Sequence, residues 1–510
     1  MGVSPWVRTV RTASGATAVQ VVWSKRGGVL DLEHVGSAHD DVELTMLRHA
    51  AAARIHAGQE PFDLSGQGQV PPVGAGSFPI VASRAARVWQ SLRTAWEAVG
   101  FGAAIHDEVF WQMVAARVVE PVSKADSLRV LGELGTCKVP SYRTVENCLD
   151  RCVKRDYRSD LEVACAAHVG AENLRLCLYD VTTLYWETDT ADEFRIPGYS
   201  KERRLEPQII VGLLTDAHGF PLLVRAFEGN KAETKTIVPV LEEFRRANPD
   251  AKITVVADAG MMSEKNLNDL EDAGYQFIVG GRIPEEPGIV RLWRIEHPGV
   301  ELTDQQIFSS TRTGTKKRPR AWRVWYQYRT ERAKKNLHGI EASVAKAEAI
   351  IAGTVSAKKN RFLKDTGGRL QIDAELVASA RLRAGIRSYV TNLDADPQFI
   401  INTYHQLYQV EAAFRMSKHD LRARPAFHYK RERIEAHLTI VFAALAIGRW
   451  LESVTGISLR AFLHAVRPIR QVTLDINGTP VTGEDTITDA ARQALAAIDQ
   501  ATPAHVTKHA

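Results

Sequence analysis

Between residues 174 and 279, short apolar runs and stretches with apolar residues every three or four positions follow one another, separated by polar turns. The runs 174–185, 208–215 and 220–227 read as strands, with Asp216-Ala217-His218-Gly219 turning the second into the third. Helical spacing then covers 233–247, a strand runs over 253–258, and a helix at 263–273 leads to a strand at 276–279. This βββαβαβ order predicts an α/β sheet in which three hairpin-linked strands meet helix-linked parallel partners. The ends of such strands gather ligands.

Upstream, 17–23 and 29–32 flank the turn Gly27-Gly28 in a small β-meander, and a helix is expected over 41–56. Residues 65–79 are rich in Gly, Pro and Gln and read as a linker. From 82 to 169 the pattern is helical throughout, in segments 82–98, 105–118, 123–134, 141–153 and 156–169, with Ser141 placed as an N-cap. Arg143, Arg151, Lys154 and Arg155 lie near that cap, where they suit either DNA backbone contacts or an ordinary bundle surface. Strand-like runs at 321–329 and 385–393 lie in the long interval that follows the sheet. The expected divisions are therefore a meander with a helix (1–64), a linker (65–81) and a helical domain that is a candidate for DNA-end binding (82–170). An α/β core comes next in two parts (171–285 and 396–455), interrupted by a basic, β-rich insertion (286–395) and followed by a C-terminal tail (456–510). No internal repeat is evident.

Composition adds location and partner. At 510 residues, with 45% hydrophobic and 25% charged residues, the chain has the profile of ordinary soluble domains. Residues 1–11 contain Pro5, Arg8 and Arg11 and lack an apolar core, so no secretory signal is expected. The longest apolar run, 438–447, is shorter than the roughly 20 residues of a membrane helix. A cytoplasmic, nucleoid-associated protein is the expectation, with no membrane partner. The five cysteines form no CxxC pair, which favours reduced, buried thiols over a zinc site. The net charge of +5 is uneven: 312–369 holds sixteen Lys/Arg against four Asp/Glu, and 413–433 seven against two, which leaves the remainder acidic. Two basic segments on an acidic body suggest a bound polyanion.

Three acids stand out on this frame. Asp180 interrupts the first apolar strand, Asp258 ends a later one beside Gly260, and Glu411 lies in a late helical segment. An ionised acid half-buried in a strand needs a partner or a cation. Three carboxylates from separate elements have the chemistry to hold two divalent cations for an in-line displacement at phosphorus. Tyr404, Glu411 and Lys418 are spaced by seven, so a continuous helix would set them along one face. Lys201, Arg203 and Arg204 follow the first strand as candidate phosphate contacts. Cations and aromatics interleave over 316–326, suiting either unpaired bases or an aromatic core face.

Taken in order, Tyr179-Asp180-Val181-Thr182-Thr183, Gly198-Tyr199-Ser200-Lys201, Gly229-Asn230 with Glu233-Thr234, Asp258-Ala259-Gly260 and the Tyr404/Glu411/Lys418 segment resemble the DDE transposases of the IS4 superfamily, most of all the IS1634 family. The resemblance spans about 174–450. It implies a ribonuclease-H-like catalytic core with an insertion before the Glu, and Asp180, Asp258 and Glu411 as catalytic metal ligands. It further implies Mg²⁺ dependence, with Mn²⁺ able to substitute, and cutting of transposon ends followed by joining of the 3′-OH to target DNA. The implied partners are double-stranded terminal inverted repeats and target DNA, with a homodimer in the DNA complex. Tyr404 and Lys418 carry over as DNA-positioning residues, beside Lys201 and Arg203. The family's Tyr-x2-Arg-x3-Glu-x6-Lys signature is broken here by Leu407 at the Arg position, and Arg415 is the candidate substitute. Two rival readings are a related endonuclease that cuts without joining and a transposase-derived DNA-binding protein without catalysis.

Overall fold

A computed structural model describes residues 6–12, 16–26, 29–38, 41–56, 79–136, 138–187, 190–198, 206–261, 263–313, 320–356, 359–366, 369–423, 428–476 and 478–501. The chain divides into two compact units, Met1–Ser77 and Phe78–Ala510. In the first, β1 (Trp6–Arg11), β2 (Thr17–Arg26) and β3 (Val29–Ala38) form the expected antiparallel meander, and α1 (Asp41–His56) packs on it. Val19, Val21 and Ala51 are its buried centre, and Glu33 receives both the Trp23 indole N–H (3.0 Å) and an Arg54 guanidinium (2.8 Å). The expected linker falls mostly outside the described residues; its last two positions belong to a strand, β4 (Ile80–Arg84).

The second unit continues with α2 (Ala86–Ala98), α3 (Phe101–Ala104), α4 (Glu108–Val119), α5 (Ser127–Leu134), α6 (Tyr142–Lys154) and α7 (Tyr157–Val169). Ser141 caps α6 as its sequence suggested, accepting from the Thr144 N–H at 3.2 Å. Asp107 caps α4 through the N–H groups of Val109 and Phe110. Its other oxygen takes two bonds from Arg151 (2.9 and 2.7 Å) and one from the Tyr157 hydroxyl (3.0 Å). Arg151 is thus an internal tie between α4 and α6 and not a free backbone contact for DNA.

The sheet begins with β5 (Leu176–Tyr185), β6 (Gln208–Thr215) and β7 (Pro221–Glu228), then α8 (Ile237–Ala247), β8 (Thr254–Ala257), α9 (Glu264–Asp272) and β9 (Gln276–Gly281). The next segment supplies α10 (Gly288–Glu296), β10 (Ile307–Thr313), β11 (Ala321–Tyr328), α11 (Thr330–Ile351), β12 (Leu363–Thr366), β13 (Arg369–Ile372), α12 (Ala374–Leu382) and β14 (Ile386–Thr391). The strand order is β10-β11-β14-β9-β8-β5-β6-β7. Read from β7, the first five strands follow the 3-2-1-4-5 order of a ribonuclease-H-like fold, with β8 and β9 parallel to β5.

The segment expected as a separate β-rich insertion contributes β10, β11 and β14 to this same sheet. Two small cores of its own lie within it, one around Ile340, Phe362, Val377 and Ala380 and another around Val290, Phe308 and Ile386. The described part of the expected C-terminal tail, 456–476 and 478–501, is likewise built of helices and strands. After α13 (Pro397–His405), α14 (Tyr408–Arg415) and α15 (Arg431–Thr455) come α16 (Leu459–Val466), β15 (Gln471–Ile476), β16 (Thr479–Glu484) and α17 (Asp489–Ala501). β15 pairs with both β16 and β4 in a second sheet that ties the two ends of this unit together.

Strand parity assigns the two faces of the large sheet. Cys177, Tyr179, Val181, Val255, Ala257, Phe277 and Val279 pack with α8 and α9. Leu178, Leu184, Val256, Ile278 and Tyr389 face the other way, into one hydrophobic cluster shared with α2–α7 and α13–α17. The helical N-terminal region therefore shares its core with the sheet. α15 runs through that cluster; by length and composition it would cross a membrane, but 89% of its apolar window is buried in the fold. The four described cysteines are buried and free, and burial pushes each thiol up from its ordinary value.

One buried place is basic. The Lys124 amine meets the His437 ring at 3.4 Å, and Arg117 reaches the Arg422 carbonyl at 3.5 Å. Burial holds Lys124 well below its ordinary value and Arg117 down to about 10. A base with a depressed folded pKa binds fewer protons in the folded state than in the unfolded chain, so its penalty is largest at low pH and fades as pH rises towards the unfolded value. Lys124→Met is expected to stabilise the protein, because it removes the cost of burying an ionisable amine with no carboxylate partner among the described residues. In thermal melts from pH 7 to pH 10 its advantage over the natural protein shrinks with rising pH; a loss of stability at pH 7 would contradict this.

Candidate active site

The two aspartates owe their placement to register. β5 and β8 run parallel and pair Leu178 with Val256 and Tyr179 with Ala257, so Asp180 and Asp258 are the next positions on adjacent strands. Strands in a sheet lie about 4.8 Å apart. By parity both acids share the face of Leu178 and Val256, the face that α13–α15 cover. Asp180 is half-buried; Asp258 is exposed just beyond the end of β8, where a short 3₁₀ turn, Ala259–Met261, begins.

Asp258 is held from the helical side. The buried Tyr404 hydroxyl donates to its Oδ1 at 3.0 Å. Burial, more than any neighbouring charge, raises the Tyr404 phenol, so it stays protonated and remains a donor. The phenol fits because residue 280 has no side chain: a Cβ there would lie 2.6 Å from the Tyr404 oxygen and 3.2 Å from the Ala259 nitrogen. Tyr389 packs edge-on against the same ring, centroids 5.1 Å apart, and shares a 3.3 Å hydrogen bond with the His405 Nε2. Tyr404 was expected to position DNA; its side chain instead points inward to Asp258.

The continuous helix expected through Tyr404, Glu411 and Lys418 is broken. α13 stops at His405, and the bonds Gln406 N to Thr403 O (3.1 Å) and Leu407 N to Tyr404 O (3.1 Å) tighten the turn before α14 starts at Tyr408. Beyond Arg415 the backbone widens to a π-helix, Met416–Asp420, which carries Lys418. The three residues therefore do not lie along one helix face. Leu407, at the broken family position, is a buried core residue, which accounts for a hydrophobe there.

Glu411 is exposed on α14, whose Val410, Ala413 and Phe414 face the core while the helix packs against β5 and β6. α14, which carries Glu411, thus packs against the strand that carries Asp180. Among the described residues, no three His, Cys, Asp or Glu side chains close to metal-ligand distance. Arg415 is exposed in the last turn of α14 and makes no ion pair with Glu411 among the described residues. Lys201 and Arg203 lie outside the described residues, as does Arg204.

A fourth acid stands nearby. Glu233 opens the 3₁₀ turn before α8, and its Oε2 would be 3.7 Å from a Cβ at Gly260, two residues past Asp258. The charges of Asp180 and Glu233 both reach the Tyr179 phenol, which burial chiefly raises. The only sequence signal for Glu233 was its place in the Gly229-Asn230/Glu233-Thr234 pattern. In the basic, aromatic segment, Trp322 is fully buried and donates to Glu271 at 3.1 Å, while Arg320 is paired with Glu271 and Asp272. Trp322 is therefore a core residue, unavailable to stack on a base.

Comparison with known families matches residues 173–447 to the Transposase DDE domain. No curated protein matches the chain. A solved structure, the piggyBac transposase synaptic complex with hairpin DNA, aligns over 82% of this chain and 72% of that one at 9% identity, with a TM-score of 0.37. A likeness that remote has no bearing on residue roles.

Gly280→Ala is expected to push the phenol off Asp258 and destabilise the protein by about 1–3 kcal/mol, the usual cost of overpacking. Tyr404→Phe in the same chain removes the nearest clashing atom. Thermal melts should then show the double variant more stable than Gly280→Ala alone, and equal melting of the two would contradict the close approach.

Proposed function

This chain belongs to the Transposase DDE domain family, and from that premise we propose that it cuts the ends of a transposon and joins the exposed 3′-OH to target DNA. The reading is carried by one observation: Asp180 and Asp258 occupy consecutive register positions on the shared face of adjacent parallel strands. Its assignment to the IS4 superfamily, nearest the IS1634 family, rests on the ordered motifs.

The acids at this end of the sheet are carboxylates, with Glu233 near Gly260 and Glu411 on the helix that packs against β5, and hard oxygen donors of this kind suit Mg²⁺ or Mn²⁺. Asp180 and Asp258 would hold the ions, and Glu411 would complete the donor set. Bound there, the pair would activate the attacking oxygen and stabilise the leaving one. The protein's own part is positional. Tyr404 fixes one oxygen of Asp258, and the sheet fixes the spacing of Asp180 to it, so the acids need little reorganisation at the moment of reaction. Exposed Arg415, Lys418 on the π segment and the basic stretches 312–369 and 413–433 offer cations for double-stranded DNA, both terminal repeats and target. A homodimer would bring two ends together.

Asp180→Asn, Asp258→Asn and Glu411→Gln are each expected to reduce end cleavage by at least about 1,000-fold, or roughly 4 kcal/mol of barrier, while end-DNA affinity by fluorescence anisotropy stays within a few-fold. Full cleavage by Asp258→Asn would overturn the assignment. Supplied with pre-cut ends, the natural protein should form joined product, whereas cutting without joining would identify a nuclease.

Affinity for end DNA is also expected to fall steeply with salt, log K declining by about 0.9 for each phosphate neutralised. A flat response between low and moderate salt would show that the basic segments do not contact the backbone.

A further inference from the structure

We propose that Arg387, on β14, positions the Asp258 carboxylate through the Tyr404 hydroxyl. The inference rests on the reading of Asp258 as part of the reacting site. Leu407 is buried at the turn between α13 and α14 and has no charge to offer. Arg415 is exposed on α14, outside the contacts that hold Asp258.

Arg387 is built into those contacts. β14 pairs Tyr389 with Gly280 and carries Arg387 two residues earlier, on the same face. Its guanidinium stacks over the Tyr404 ring, 4.8 Å from the centroid, and Nη2 donates to the Tyr404 oxygen at 3.3 Å. The phenol's one hydrogen goes to Asp258 at 3.0 Å. Tyr404 therefore accepts from the cation and donates to the carboxylate, which uses the hydroxyl in both directions. Such linked bonds polarise and reinforce one another.

Two further features single Arg387 out. It is half-buried, and among the described residues no carboxylate pairs with it, so its charge is directed along the phenol. The Tyr404 ring has little freedom to leave, because Tyr389 packs edge-on against it and the gap at Gly280 receives its oxygen. A guanidinium suits both contacts, its centre over the ring and one N–H at the oxygen, because its delocalised charge lies well against an aromatic face. Arg387 is thus a positioning residue, acting through Tyr404 and touching no reacting atom. No local pattern marks it: it is one cation in a strand, 17 residues before the tyrosine it meets.

The test uses the full-length protein, with Arg387→Gln, Arg387→Lys, Tyr404→Phe and the Arg387→Gln/Tyr404→Phe double variant. Three readouts are taken: Mn²⁺ binding by titration calorimetry, end-DNA affinity by anisotropy and cleavage rate. Each single variant, Arg387→Lys included, is expected to weaken Mn²⁺ binding and slow cleavage by about 10- to 100-fold, as loss of supporting residues around ligands does. End-DNA affinity should stay within about two-fold, and the double variant should be no worse than the poorer single one. Losses that multiply in the double variant would show independent roles and overturn the proposal. A selective loss of DNA affinity in Arg387→Gln would make Arg387 a DNA contact and overturn it equally. If Arg387→Gln fails to fold, Arg387→Lys carries the same decision. Natural behaviour in all the Arg387 variants beside an inactive Asp258→Asn would refute the role of Arg387 alone; an active Asp258→Asn would refute the underlying reading of the site.

Discussion

The parallel pairing of β5 with β8 is the constraint on which the site depends. With Tyr179 opposite Ala257, the next residues on both strands are aspartates, and the two-residue period sends both to one face. A shift of one position on either strand would drive one carboxylate into the apolar layer beneath α8 and α9. The hydrophobic residues around the acids oppose that slip. Leu178 and Val256 belong to the cluster under α13–α15, while Cys177, Tyr179, Val255 and Ala257 belong to the other. The burial that stabilises the sheet thus sets the position of the acids, and chemistry and folding draw on the same register.

The helical side completes what the sheet begins. α13 places Tyr404 against Asp258, and after the tightened turn at Gln406–Leu407 α14 packs against β5 with Glu411 exposed. Leu407, at that turn, is buried in the shared core, and the cation beside Tyr404 comes from β14.

The order of strands and helices from 174 to 281 was legible in the sequence because each run is bounded by its own turn chemistry, such as Asp216-Ala217-His218-Gly219. Ser141 as a cap and α1 to the residue were legible for the same local reason. What was hidden depends on pairing between distant segments. β10, β11 and β14 look like an insertion in one dimension, yet they extend the core sheet. β4 and β15 pair across almost 400 residues, with Arg84 donating to Gln471. The seven-residue spacing of Tyr404, Glu411 and Lys418 suggested one helix, and neither proline nor glycine announces the break at Gln406. The two aspartates could be named from their strands and Glu233 stood in one of the ordered motifs, whereas Arg387 draws its significance only from what lies across the fold.

The most direct test replaces the divalent ion with Fe²⁺ in the full-length protein bound to end DNA, and adds ascorbate and peroxide so that radicals cut the backbone beside the bound ion. The account predicts fragments ending close to both Asp180 and Asp258, lost together when either is changed to Asn. Cuts at other segments, or fragments that survive Asp180→Asn, would show that these carboxylates do not share an ion site.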